Sequence, residues 1–87
     1  MQYDVCDWDD APRANRDHVA DNGVTPEEWQ EVLDSAPRWD IEPSESDPSH
    51  WTCIGGTRGG RTIRIVFIMD EDDDFVYIRP ITGYEPT

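Results

Sequence analysis

The sequence predicts an α+β fold: two N-terminal helices packed on an antiparallel sheet of about three to four strands. Three observations carry this expectation. Residues 9–37 hold two segments with helix caps and stops, and from Trp51 onward the pattern changes to runs of β-branched and aromatic residues parted by Gly-Gly and acidic turns. The order helix, helix, strand, strand, strand also argues against a parallel wound sheet, in which strands and helices alternate.

The opening Met1–Trp8 alternates apolar and polar residues, as an edge strand or an extended arm anchoring Trp8 would. The first helix is expected from a cap at Asp9 or Asp10, with Pro12 near its first turn, to Asn22, where Gly23 supplies a left-handed stop. The second is better specified. Thr25 is its N-cap, Pro26 its first helical residue and Glu28 the third member of a capping box. Trp29, Val32, Leu33 and Ala36 share one face at helical spacing, and Pro37 ends the element.

Trp39-Asp40-Ile41 reads as a short strand, and residues 42–50, with two prolines among serines and acidic residues, as a flexible loop. Trp51–Ile54 and Arg61–Met69 form a hairpin around Gly59-Gly60. Ile63, Ile65 and Phe67 line one face of the second strand and Val66 and Ile68 the other, which marks a central strand. Asp70–Asp74 reads as an acidic turn, and Phe75–Thr82 as a closing strand that Pro80 places near a sheet edge.

With 87 residues the chain is expected to form one domain spanning residues 1–87 and one modest core. Four tryptophans, three tyrosines and two phenylalanines supply large apolar areas to it. Twenty acidic residues against seven basic ones give a formal charge of −13, a repulsive field toward phosphate backbones and anionic lipid that disfavours general nucleic-acid binding. All seven basic residues are arginines, forked donors suited to carboxylates and phosphates. Cys6 and Cys53 lie apart with no CxxC pattern, and no apolar run approaches the length of a membrane span, so the expectation is a cytoplasmic protein with reduced thiols and no membrane contact.

No P-loop, dinucleotide fingerprint, HExxH or Ser/His/Asp motif occurs, and no cofactor is expected. The acidic turn lacks the glycine and ligand spacing of a calcium loop, so it reads as a solvated turn and no metal is expected. His18 sits on a predicted helix and can be imagined as a general base, with packing between helix and sheet as the plainer role. His50, at the end of the loop, is less informative still. The most suggestive group is Arg58, Arg61, Arg64 and Arg79, joined by Thr82 and Tyr84 at the strand end. It suits a phosphate, a developing anionic transition state or a partner's carboxylate, with internal salt bridges as the equally weighted alternative.

Trp8-Asp9, Asn15-x-x-His18-Val19-Ala20 and Gly23-Val24-Thr25-Pro26-Glu27-Glu28 resemble the opening of BrnT-like proteins. Ile54-Gly55-Gly56-Thr57, Gly60-Arg61 and Ile78-Arg79-Pro80-Ile81-Thr82-Gly83-Tyr84-Glu85 are similar to that family's sheet and closing strand. The resemblance implies a RelE/ParE-like fold and descent from toxins that cleave RNA without a metal and are neutralised by a cognate antitoxin. It puts Arg61, Arg79, Thr82, His18 and Tyr84 around the scissile phosphate. The chain departs from the basic character of active members: it has Asp21 and Asn22 where lysines and a second histidine are usual, and Tyr84 at a position that is often arginine. Two functions are therefore carried forward, a metal-independent ribonuclease and a catalytically silent module that binds a protein partner. The net charge favours the second.

Overall fold

The computed structural model describes residues 1–86. Strand β1 (Val5–Cys6) is followed by helices α1 (Asn15–Asp21) and α2 (Pro26–Ser35), a 3₁₀ turn at Arg38–Asp40, and strands β2 (Glu42–Pro43), β3 (Trp51–Gly56), β4 (Thr62–Glu71) and β5 (Val76–Tyr84). The strands make one five-stranded sheet in the order β1-β5-β4-β3-β2. The fold is thus α+β with two helices, as expected, but the sheet is larger and mixed. Its centre, β3-β4-β5, is the expected antiparallel unit. The outer strands are two residues each, too short for alternation to reveal, and β1 runs parallel to β5 through Val5↔Tyr77 and Cys6↔Ile78.

Helix α2 forms where its local signals place it. The Thr25 hydroxyl accepts the Glu28 N–H at 3.1 Å, and the Glu28 carboxylate accepts the Thr25 N–H at 3.0 Å, which satisfies two donors that the helix would otherwise leave open. Helix α1 is shorter than expected. Asp9 turns its side chain to the Ala11 N–H at 2.9 Å rather than capping a helix, and Arg13 adopts φ 65, so helical geometry begins only at Asn15. Buried Asn15 holds this entry by donating to the Asp7 carbonyl at 2.9 Å and accepting from the Asp9 N–H at 2.8 Å. Gly23, at φ 81, supplies the left-handed stop.

Both helices cover one face of the sheet. Val19 of α1 and Trp29, Val32 and Leu33 of α2 pack on Cys53, Ile63, Ile65, Phe67 and Ile78 from β3, β4 and β5. Trp29 is the centre of this core. Its indole meets Trp8 edge-on at 5.3 Å and Phe67 at 6.0 Å, and its Nε1 donates to the Thr82 carbonyl at 2.9 Å. Gly83 lets β5 pass this ring, since a Cβ there would stand 2.8 Å from Trp29 Cδ1.

β4 is the middle strand, as its two apolar faces imply. The Gly59-Gly60 hairpin also forms, with Gly60 at φ 85 and the Thr57 N–H donating to the Arg61 carbonyl at 2.8 Å. Two details differ from expectation. Residues 38–40 coil as a 3₁₀ turn, so no strand covers 39–41; the strand lies at 42–43, inside the expected loop, whose remainder closes back with the Ser44 N–H on the His50 carbonyl at 2.9 Å. Asp70 and Glu71 belong to β4, which narrows the acidic turn to residues 72–75, where Asp72 accepts from the Asp74 and Phe75 N–H groups at 2.9 Å each. Pro80 lies near a sheet edge, as expected: β5 is second in the sheet, the two-residue β1 ends before reaching Pro80, and a register shift at Val66/Phe67 accommodates the neighbouring backbone. Among the described residues no helix is long and apolar enough to cross a membrane.

Candidate functional site

Since alternate strand residues point to opposite faces, burying Ile63, Ile65 and Phe67 under the helices sends Arg64, Val66 and Ile68 to the other side. The register aligns Thr52 with Val66, Ile54 with Arg64, Thr82 with Val66 and Tyr84 with Arg64 on that open face. Residues 42–46 and His50 overhang it. The result is a groove of about 480 Å³ whose floor is Thr52, Arg64, Val66, Ile81, Thr82 and Tyr84 and whose rim includes Glu42, Glu45 and His50.

The open face brings together part of the group that the sequence singles out. Thr82 and Tyr84 line the groove, and Arg79 lies further along β5. Arg79 Nη1 stands 3.3 Å from Asp7 Oδ2, the same oxygen that receives the Tyr77 hydroxyl, so its charge is answered within the fold. Arg61 lies on the helix side. Its Nη1 donates to both Glu28 oxygens at 2.7 and 2.9 Å, its Nη2 to the Gly23 carbonyl at 3.0 Å, and the same guanidinium is paired with Glu85. Arg58 is almost wholly exposed beside Glu31. His18 is exposed on α1, away from the groove rather than packed between helix and sheet. The five expected site residues therefore divide: Thr82 and Tyr84 line the groove, with the Thr82 hydroxyl accepting from Asn22 Nδ2 at 2.8 Å at the end of α1, Arg79 is paired further along β5, and Arg61 and His18 lie outside the groove.

Arg64 takes the place that the sequence reading gave to Arg61. It is half-buried, donates to Thr52 Oγ1 at 3.3 Å, and among the described residues has no carboxylate within ion-pair distance. Alternation from the Ile63/Ile65 pair was the signal that could have singled it out. His50, set aside earlier, stands at the rim with Nε2 3.5 Å from Asp47 Oδ2. Chemically, the groove offers one guanidinium, the Tyr84 hydroxyl, an imidazole and two rim carboxylates, while the Thr82 hydroxyl already accepts from Asn22 and only Val66 and Ile81 are apolar in the floor. Both thiols lie elsewhere: burial raises the pKa of Cys6 and of Cys53 to about 11, so they stay protonated near neutral pH. Among the described residues no three His, Cys, Asp or Glu side chains converge as a metal site requires.

The Arg61–Glu28 contact leaves a pH signature. The Thr25 N–H, and then Arg61 against an opposing effect of burial, hold the Glu28 carboxyl below its ordinary pKa. A carboxyl whose pKa is lowered by folding stabilises the fold above its unfolded value of about 4.3, and that contribution is lost as pH falls through the lower folded value. Glu28→Gln keeps an oxygen for the cap but removes the charge. Its stability deficit in urea unfolding should be full at pH 7 and shrink below about pH 4. A deficit that stays constant down to pH 2 would show that the Glu28 charge contributes nothing.

Compared with known proteins, the chain matches no family model, no curated protein and no solved structure.

Proposed function

We propose that this chain is a BrnT-like toxin homologue of a type II toxin–antitoxin system that acts by binding a protein partner rather than by cleaving RNA. The observation that carries this reading is the state of Arg61. The arginine expected at the scissile phosphate is held by Glu28 and Glu85 on the helix side of the sheet, while Tyr84 lines the groove on the other face and the Thr82 hydroxyl is taken by the Asn22 amide. A guanidinium already matched by two carboxylates has little left for a phosphate, and RNA would also meet a field of −13. The motif resemblance and the layer of two N-terminal helices on an antiparallel β3-β4-β5 core support a RelE-like ancestry.

A second reading, metal-independent RNA cleavage within the groove, is favoured by one observation: among the described residues no carboxylate stands within ion-pair distance of Arg64, which shares the groove with Tyr84. In that chemistry a ribose 2′-hydroxyl attacks the adjacent phosphorus, the bond to the 5′ oxygen breaks, and a 2′,3′-cyclic phosphate and a 5′-hydroxyl form. Arg64 would stabilise charge on the phosphate oxygens while His50 or Tyr84 moved a proton.

One experiment separates the two. The purified protein is incubated with a mixed RNA pool in chelator, beside Arg64→Ala and the double variant Arg61→Ala/Arg79→Ala, and fragment ends are sequenced. The expected result is no cleavage above buffer by any of them. Cleavage by the wild type that Arg64→Ala lowers by about a hundredfold or more, the loss typical of removing one oxyanion donor, would overturn the partner-binding reading.

A further inference from the structure

The edge of β3 beyond β2 carries an unused row of backbone groups beside an exposed tryptophan. Because the Ser44 N–H donates to the His50 carbonyl and Glu42 pairs with Thr52, residues 50 and 52 direct their backbone groups toward β2. By alternation Ile54 and Gly56 direct theirs to the same side, and the Thr57 N–H, bonded to Arg61 across the hairpin, confirms that odd positions face β4. β2 stops at Glu42, and the chain before it coils away in the 3₁₀ turn. Among the described residues nothing outside the β3–β4 ladder bonds to the backbone of Ile54 or Gly56.

A cleft of about 300 Å³ opens where β2 departs, bounded by Trp39, Asp40 and Glu42 on one side and by Cys53, Ile54 and Arg64 on the other. Trp39 is 85% exposed and Ile54 43%. Trp29, by contrast, is fully buried, and Trp8 is partly buried against it. An exposed tryptophan next to open strand hydrogen bonds has the make-up of a strand-addition site, in which backbone bonds give affinity and an aromatic side chain gives an anchor. The usual guards of such an edge are missing from Ile54-Gly55-Gly56, which has no charge, no proline and no bulge.

We propose that this edge receives an extended, positively charged segment of a protein partner, which adds to the sheet as a further strand beside β3 at Ile54 and Gly56. The charge of the chain selects the occupant. Asp40 and Glu42 outnumber Arg64 at the cleft within a molecule of net charge −13, so a basic strand is attracted whereas a second copy of this chain brings −13 of its own. The inference rests on the partner-binding reading and gives that partner an open strand edge beside the groove, whose lining shares Glu42 and Arg64 with the cleft.

The test uses the full chain, ¹⁵N-labelled, and three capped octapeptides as probes. One alternates valine and arginine, one alternates valine and glutamate, and one keeps the arginines but has proline for every valine. The valine–arginine peptide should slow amide exchange at Ile54 and Gly56 and shift the Trp39 indole resonance. The proline peptide carries the same charge without the facing N–H groups and should do neither, as should the glutamate peptide. Trp39→Ala, at a position whose exposure leaves the fold intact, should weaken binding by about tenfold. Equal effects from the proline and valine peptides would reduce the contact to charge alone and overturn the proposal. Shifts confined to Thr82 and Tyr84 would overturn it while leaving partner binding through the groove. Protection of Ile54 and Gly56 that grows with protein concentration in the absence of peptide would make a second copy the occupant, against the proposal. Failure of the partner-binding reading itself appears separately, as RNA cleavage.

Discussion

Trp29→Ala is expected to remove about 3–5 kcal/mol of stability, the usual loss for a fully buried large aromatic. A domain of this kind has only about 5–15 kcal/mol in total, so the variant should be largely unfolded at 37 °C or melt some 15 °C or more below the wild type. The size follows from what the ring holds together. It is 0% exposed, meets Trp8 and Phe67 edge-on, and supplies the hydrogen bond to the Thr82 carbonyl that ties α2 to β5. Alanine leaves a cavity and an unmatched carbonyl together. Gly83→Ala attacks the same contact from the other side by placing a methyl 2.8 Å from Trp29 Cδ1, for which about 1–3 kcal/mol is expected. A cycle with Trp29→Leu makes the assignment specific. With the indole gone, Gly83→Ala should lose most of its effect, and urea denaturation should report a coupling of about 1 kcal/mol or more between the two positions. Additive effects would mean that Gly83 is required for some reason other than the passage of that ring.

The parts of this fold that the sequence makes legible are those set by neighbours along the chain. The Thr25–Glu28 capping box, the stripe from Trp29 to Ala36 and the Gly59-Gly60 hairpin each depend on residues within a few positions of one another, and each forms as read. The start of α1 does not, because Asp9 has two local options and the Asn15 side chain, bridging Asp7 and Asp9, selects the turn over the cap. Strands β1 and β2 are two residues long and exist through the strands they join rather than through their own composition. The candidate site divides along the same line. That Arg64 faces away from Ile63 and Ile65 was readable from alternation; that Arg61 meets Glu28, 33 residues earlier, and Glu85 was not, since that contact depends on how α2 lies across the end of the β3–β4 hairpin. A cluster of arginines in sequence thus became two environments, one neutralised and one open.

Raising the salt concentration should stabilise this protein. At an ionic strength of about 0.01 M the Debye length is about 30 Å, comparable with the 34 × 28 × 25 Å extents of the molecule, so each carboxylate feels nearly every other. At about 1 M it falls to about 3 Å, and only charges in contact still interact. Two effects then oppose one another. Screening weakens the ion pairs of Arg38 and Arg79, which are open to solvent and contribute little, and acts less on the part-buried Arg61–Glu28 pair. Screening also relieves the mutual repulsion of a net charge of −13, which is spread over the whole fold and is diluted when the chain expands. The repulsion should therefore dominate, and the melting temperature should rise by about 5–10 °C between 0.01 and 1 M sodium chloride, the equivalent of about 1–2 kcal/mol for a domain of this size. Repeating the titration on Asp21→Asn/Asp73→Asn/Asp74→Asn, three exposed carboxylates remote from the groove, isolates the charge contribution, because the general salting effect on apolar surface is unchanged while the net charge falls. The variant should start at a higher melting temperature in low salt and rise less. A wild-type melting temperature that is flat or falls with salt would mean that the local ion pairs outweigh the overall field, and the argument from charge against RNA, which rests on that same field, would weaken with it.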